Sequence, residues 1–220
     1  MLIMAAKTIL LLIDVQNDFC PGGALAVTDG DSVIDPLNSL ATALAEAGGL
    51  VAATQDWHTI DHISFASNHK NKNPGDVIDL PGVPGQFLWP DHCVQGEPGS
   101  AFHKNLDLKP ITFILRKGFR KELDSYSAFF ENDRKTSTGF DGLLHGIGIK
   151  TVIIGGLATD YCVFYSVMDS LRLGYKTIVV NDAIRAVGYP EGSAEKATKQ
   201  MQNAGALFIN SKELLKEIKK

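Results

Sequence analysis

Six short apolar segments alternate with helical patterns along this chain. The first, residues 8–13 (TILLLI), is apolar throughout, which is typical of a strand buried on both faces. The predicted strands are residues 8–13, 50–54, 111–115, 151–154 (which ends at Gly155-Gly156), 177–182 and 206–210. The predicted helices are residues 35–47, 139–146, 160–173, 191–204 and a last one after Ser211, through residue 220.

This alternation of strands and helices predicts an α/β fold. Right-handed βαβ units give a mostly parallel sheet of about six strands with helices on both faces, a three-layer α/β/α arrangement. We expect one domain over residues 1–220, because no linker divides the chain. Residues 59–100 are polar and broken by proline and glycine, and a loop of this length is usually functional.

Composition excludes several function classes. The 220 residues carry a net charge of −4 with no basic run, which argues against nucleic acid as a partner. Three cysteines, odd in number and far apart, argue against a disulfide scaffold and indicate a reducing, cytoplasmic compartment. The apolar start is interrupted by Lys7 and followed by Asp14, unlike a signal peptide, and we expect no membrane span. A homo-oligomer is expected on general frequency alone.

Reactive side chains follow four of the predicted strands. Asp14 ends the first, Asp56 and His58 follow the second, Lys117 follows the third, and Cys162 follows the fourth. Because ligands bind beyond the carboxyl ends of parallel strands, these residues are expected to meet at one edge of the sheet.

Cys162 lies just inside the predicted amino end of a helix, which Thr159 or Asp160 can cap. The helix dipole there should lower the pKa of the thiol, and backbone N–H groups can hold an oxyanion. Asp14 can accept the thiol proton and deliver it to a leaving amine, with Lys117 as a nearby cation. The alternatives are a buried structural cysteine, a loop-capping aspartate and a solvated lysine.

Asp56, His58 and His92 form a candidate metal site. In an extended segment, side chains two residues apart point the same way, so Asp56 and His58 can share one ion. With His92 the set suits a single divalent metal, zinc by preference, with iron or manganese as alternatives. His62, His69 and Ser64 compete for a ligand position, and loop histidines are often simply solvated.

These motifs together resemble those of nicotinamidases, which belong to the isochorismatase-like cysteine hydrolases. The matching segments are residues 13–19 (IDVQNDF), 56–58 (DWH), 89–93 (WPDHC), 116–118 (RKG), 124–130 (DSYSAFF) and 156–162 (GLATDYC). The resemblance runs in order over nearly the whole chain and implies the isochorismatase-like hydrolase fold.

The resemblance also implies roles for individual residues. Asp14, Lys117 and Cys162 match the catalytic triad, and Asp56, His58 and His92 match the metal ligands, with Ser64 a further ligand, sometimes through water. The Leu157–Ala158 bond falls where the family has a cis peptide that aims the N–H groups of Ala158 and Cys162 as an oxyanion hole. The residues that match the substrate-binding pocket are Phe19, Trp89, Tyr126 and Ala158.

The implied activity is hydrolysis of nicotinamide, and of pyrazinamide, to the acid and ammonia through a thioester, in NAD salvage. Three alternatives stay open from the residues. One is an isochorismatase-like amidohydrolase with another small substrate, and a second is a binding protein on a retired hydrolase scaffold. The third is a thiol redox protein, which the lack of a C-x-x-C motif argues against.

Overall fold

A six-stranded parallel sheet forms the centre of the computed structural model, which describes residues 4–218. Its strands lie in the order β5-β2-β1-β6-β7-β8. Their bounds are Thr8–Ile13 (β1), Leu50–Asp56 (β2), Phe113–Lys117 (β5), Thr151–Leu157 (β6), Lys176–Arg185 (β7) and Leu207–Ile209 (β8). The predicted parallel sheet is therefore confirmed.

Helices cover both faces of the sheet. They are Ile34–Glu46 (α1), Phe140–Gly146 (α2), Phe164–Arg172 (α3), Ser193–Asn203 (α4) and Ser211–Ile218 (α5). In β1, Leu10 and Leu12 pack with residues of α1 and α5, whereas Leu11 packs with residues of α2, α3 and α4. Successive side chains of a strand point to opposite faces, so the continuous apolar run fills two cores and gives the three-layer fold.

Several elements differ from the predicted ones at their ends. β2 continues to Asp56 and pairs there with Lys117, the last residue of β5, so two predicted site residues lie inside the sheet. β7 runs on to Arg185, with an irregular register against β6. The final two residues of the predicted C-terminal helix, and the first three of the apolar start, lie outside the described residues.

A two-stranded antiparallel hairpin interrupts the segment predicted as a long loop. Its strands are Val77–Leu80 (β3) and Val83–Phe87 (β4). The sequence pattern did not indicate it, because both strands are short and bury little apolar surface, and β4 contains proline and glycine. Within residues 4–218, no helix has the length and apolar character needed to cross a membrane.

Candidate active site

Four neighbouring strands deliver the predicted reactive residues to one edge of the sheet. Asp14 directly follows β1, Asp56 and Lys117 end β2 and β5, and Cys162 follows β6. Since β5, β2, β1 and β6 are adjacent in the sheet, residues separated by up to 148 positions become neighbours. Sequence reasoning placed them at this edge, and the structure brings all four together.

Lys117 connects the cluster. Its ammonium nitrogen Nζ lies 2.9 Å from Oδ2 of Asp14, 2.5 Å from Oδ1 of Asp56 and 3.4 Å from Sγ of Cys162. It also donates to the Ser125 carbonyl at 3.0 Å. Burial alone would lower the pKa of Lys117, but the two carboxylates raise it well above its ordinary value. The residue is therefore a fixed positive charge rather than the solvated strand end considered as an alternative.

The acid–base state of the cluster follows from its burial. Burial raises the pKa of Asp14 to about 6, although Lys117 opposes the rise. Burial also raises the pKa of Cys162 well above its ordinary value, against the lowering influence of Lys117 and with further elevation from Asp14 and Asp56. The expected lowering of the thiol pKa was therefore wrong, because burial and two carboxylates outweigh the local dipole. The resting group is a thiol beside a carboxylate poised to accept its proton.

Asp14 is aimed at this cluster by an unusual backbone conformation. Its φ angle of 48° lies in the left-handed region, where a residue with a Cβ is uncommon. Thr54 holds it there, since its hydroxyl donates to Oδ1 of Asp14 at 2.6 Å and accepts the Asp14 backbone N–H at 3.1 Å. Asp14 is therefore locked by β2 rather than serving as a simple loop cap.

Cys162 lies in a wide turn that joins β6 to α3. This π-helical turn, Thr159–Val163, is closed by the Val163 N–H, which donates to the Ala158 carbonyl at 3.1 Å. The Leu157–Ala158 peptide is cis, as the resemblance implied. Capping by Asp160 was a wrong prediction, because that carboxylate instead accepts the backbone N–H groups of Val187 and Gly188, at 3.0 and 2.9 Å.

The predicted metal ligands form a compact buried group. Asp56, His58 and His92 each offer a ligand atom, and these atoms lie within 4.8 Å of one another. Nδ1 of His58 donates to the Gly118 carbonyl and Nδ1 of His92 to the Pro90 carbonyl, both at 2.8 Å, which leaves each Nε2 for an ion. Burial and the nearby His58 lower the pKa of His92 to about 4, so this imidazole is neutral, the form that binds metals. One carboxylate with two imidazoles suits zinc or a similar divalent ion.

Two polar residues that sequence reasoning missed hold these ligands in place. Oε1 of Gln16 accepts a hydrogen bond from the Asp56 backbone N–H at 2.8 Å, and its Nε2 donates one to the Asp56 carbonyl at 2.9 Å. Asp18 accepts the Cys93 N–H at 2.7 Å, which fixes the segment carrying His92. Their position in the first motif, beside Asp14, was the only signal available. Cys93 itself is buried and free, like Cys20, as expected of structural cysteines.

Cys162 of the cluster and the three metal-ligand candidates line the same cavity, whereas Asp14 and Lys117 lie behind its wall. It encloses about 350 Å³ including its mouth. Its wall contains all four residues predicted to contact substrate, together with Cys162 and the three predicted metal ligands. The wall residues are Phe19, Leu25, Asp56, His58, Trp89, His92, Asp124, Tyr126, Ala158, Tyr161, Cys162 and Val187.

Three aromatic side chains give one part of this wall its shape. The Trp89 indole N–H donates to the Tyr126 hydroxyl at 2.9 Å, and Tyr161 packs edge-on against Trp89 at 4.7 Å between ring centroids. Sequence reasoning missed Tyr161, which lies in the turn before α3, where no periodicity marks a residue that faces the cavity. Flat, rigid walls of this kind suit a small planar ring.

The other candidate ligands have different surroundings. His69 donates from Nε2 to the Ile63 carbonyl at 2.7 Å and is not a member of any close group of ligand atoms among the described residues. Ser64 is fully buried, and its hydroxyl lies 2.7 Å from Nδ1 of His62. His62 instead groups with His58 and with Asp124, a cavity residue that sequence reasoning did not single out.

Gly118 offers a direct test of how His58 is positioned. It has a φ of 64°, and a Cβ added there would overlap Cε1 and Nδ1 of the His58 ring. We therefore expect Gly118→Ala to displace His58 and weaken divalent metal binding roughly tenfold or more, measured by chelator competition. Gly142→Ala is the control, because no atom of residues 4–218 lies within 4 Å of its added Cβ, apart from its chain neighbours and its own helix backbone. Equal metal affinity in both variants would contradict the role given to His58.

Comparison with known protein families gives one match over most of the chain. The isochorismatase domain model matches residues 8–213. This chain belongs to the isochorismatase family. Among family members, the nicotinamidase of Acinetobacter baylyi is 46% identical over 206 residues, covering 94% of each chain.

Solved structures of family members agree with this membership. A nicotinamidase and pyrazinamidase from Acinetobacter baumanii superposes with a TM-score of 0.90 at 44% identity, covering 95% of this chain and 98% of that one. The pyrazinamidase of Pyrococcus horikoshii, solved in complex with zinc, is 32% identical and superposes with a TM-score of 0.76. The match covers 93% of this chain and 99% of that one.

Proposed function

We propose that this protein is a nicotinamidase that hydrolyses nicotinamide to nicotinate and ammonia, and pyrazinamide in the same way. The observation that carries the proposal is the shared cavity, in which a buried thiol and a three-residue metal-ligand group face the same space between aromatic walls. The identity with nicotinamidases over most of the chain supports this substrate class. We place the reaction in NAD salvage in the cytoplasm, in keeping with three free cysteines.

Asp56, His58 and His92 are the residues proposed to hold one divalent ion, with Ser64 as a further contact through water. We favour zinc over iron or manganese, because its donor preferences fit this set and a related pyrazinamidase is solved with zinc. When bound, the ion supplies a positive charge that attracts the ring nitrogen of the substrate. Phe19, Trp89 and Tyr126 enclose the ring, so the carboxamide is directed towards Cys162.

The acylation step is assigned to Cys162 and Asp14. Sγ of Cys162 attacks the carboxamide carbon while Asp14 takes the thiol proton, because the pKa of the buried thiol is too high for a resting thiolate. The N–H groups of Ala158 and Cys162 hold the oxyanion. Asp14 then donates its proton to the departing nitrogen and the C–N bond breaks. Ammonia departs, and a thioester remains on Cys162.

Hydrolysis of the thioester uses the same groups in reverse. Asp14 accepts a proton from the attacking water, the C–S bond breaks, and Asp14 returns that proton to Sγ of Cys162, which restores the thiol. The nicotinic acid formed loses its own proton to solvent and leaves as nicotinate. Lys117 stays protonated throughout, and its charge stabilises Asp14 and Asp56 in the buried cluster. The role of Lys117 is therefore electrostatic and orienting.

One assay tests the proposal as a whole. Purified protein is incubated with nicotinamide and ammonia is measured, before and after treatment with a chelator and again after zinc is restored. We expect ammonia release, its loss on chelation by a factor of roughly 100 or more, and recovery with zinc. Absence of release from nicotinamide by metal-loaded protein would contradict the proposed substrate. Full activity after complete metal removal would contradict the proposed role of the ion.

A further inference from the structure

His62 and Asp124 make up a second group of ligand atoms with His58. One atom from each of these three residues lies within 4.8 Å of the others, and all three side chains are buried. His58 is therefore shared between this group and the set formed with Asp56 and His92. The two additional residues have no role in the proposed function, yet they face the same histidine.

His62 has a buried nitrogen without a partner. Its Nδ1 accepts the Ser64 backbone N–H at 3.3 Å and lies 2.7 Å from the Ser64 hydroxyl. Its Nε2 has no hydrogen-bond partner among residues 4–218, and the side chain is fully buried. With Nδ1 accepting, a neutral imidazole carries its proton on Nε2, so the unpartnered atom is a donor. Buried donors are almost always satisfied, so this nitrogen indicates a missing partner.

Asp124 has a buried charge without a cation. Its carboxylate accepts hydrogen bonds from Nε2 of Gln86 at 3.0 Å and from the Ser125 N–H at 2.8 Å. No side chain within residues 4–218 forms an ion pair with it, whereas Asp14 and Asp56 share the Lys117 ammonium. A buried carboxylate is costly unless a positive charge lies near it.

We propose that His62 and Asp124 are part of the metal site and bind the ion's water molecules. This inference rests on the proposed function, in which Asp56, His58 and His92 hold the ion directly. His62 supplies a donor and Asp124 an acceptor, and these two groups form no hydrogen bond with each other in the described structure. A water molecule that bridges them to the ion needs one partner of each kind. The negative charge of Asp124 is balanced by the divalent ion. These residues therefore raise metal affinity through the ion's water molecules rather than as direct ligands.

The test measures zinc binding rather than turnover. Zinc dissociation constants are determined by chelator competition for the full chain and for Asp124→Asn and His62→Ala. We expect each substitution to weaken zinc binding by roughly 10- to 100-fold. The rise in melting temperature caused by zinc should shrink accordingly. In the metal-free state Asp124→Asn should melt no lower than the unmodified protein, because the amide removes an unpaired buried charge.

Gln86→Ala is the matched control. It removes the hydrogen bond that ties the β3–β4 hairpin to Asp124 but leaves the carboxylate, so zinc affinity should stay within about threefold. A loss in Gln86→Ala as large as that in Asp124→Asn would assign the effect to hairpin anchoring and overturn the inference. Unchanged zinc affinity in Asp124→Asn and His62→Ala would overturn it as well.

The same titration separates this inference from the proposed function. If the unmodified protein binds zinc and releases ammonia from nicotinamide while both variants bind zinc equally well, only the role of His62 and Asp124 fails. If the unmodified protein binds no zinc, the proposed metal site fails, and the inference fails with it.

Discussion

Replacing Cys162 with alanine is expected to reduce nicotinamide hydrolysis by on the order of 10⁴-fold or more, because no other group at the site can form the thioester. Metal content should be unchanged, since the sulfur is not part of the Asp56–His58–His92 set. The measurements are kcat/KM from ammonia release and metal per chain by elemental analysis. Mass spectrometry after rapid quenching should detect an acyl adduct on the unmodified protein and none on the variant.

Cys93→Ala is the control for this experiment. Cys93 is a second fully buried free cysteine, but it packs in the core and is outside the cavity wall. Its replacement should leave kcat/KM within roughly an order of magnitude of the unmodified value, after correction for the folded fraction. Substantial turnover by Cys162→Ala, or an acyl adduct on another residue, would exclude Cys162 as the nucleophile.

Replacing Lys117 with methionine is expected to lower the free energy of unfolding by about 3–5 kcal/mol, because it leaves Asp14 and Asp56 buried without their shared cation. Activity should fall as well, since loss of the Lys117 charge raises the pKa of Asp14 further and a smaller fraction of this carboxylate is ionised at neutral pH. Urea unfolding at pH 7 measures the first effect, and ammonia release by the folded fraction measures the second.

The double variant Asp14→Asn/Lys117→Met separates charge from packing. It removes one of the two unpaired carboxylates, so it should be more stable than Lys117→Met alone, with a coupling of at least about 1 kcal/mol. If the two changes were simply additive, the ion pair between Lys117 and Asp14 would not be the source of the stability, and the electrostatic account of the cluster would be wrong.

Sequence periodicity was sufficient to predict the parallel sheet and the edge of the sheet at which the site lies. The side chains of β1 alternate between both cores, as expected of an apolar strand in the centre of a sheet that is covered on both faces. The carboxyl ends of parallel strands lie at one edge of the sheet, so the residues that follow these strands lie there too. For the same reason Asp14, Asp56, Lys117 and Cys162 could be grouped although no local pattern links them.

The features that could not be predicted from the sequence depend on tertiary contacts. The pKa of Cys162 is raised because the sulfur is buried and because two carboxylates from other strands lie near it. Sequence reasoning considered the helix dipole and Lys117, which both lower this pKa, but not the extent of burial. His62, Asp124 and Tyr161 lie in loops or turns, where no periodicity distinguishes a residue that faces the cavity from one that faces solvent. The β3–β4 hairpin likewise depends on cross-strand pairing that its weak pattern does not indicate.

Asp56 belongs to both halves of the site, because one oxygen contacts Lys117 and the other lies 3.6 Å from Nε2 of His58. If Asp56 holds the proposed ion, a change of metal would alter how strongly this carboxylate is shared, and Lys117 would pass that change on to Sγ of Cys162. We therefore expect metal preference and the reactivity of the Cys162 thiol to vary together when residues around Asp56 are changed.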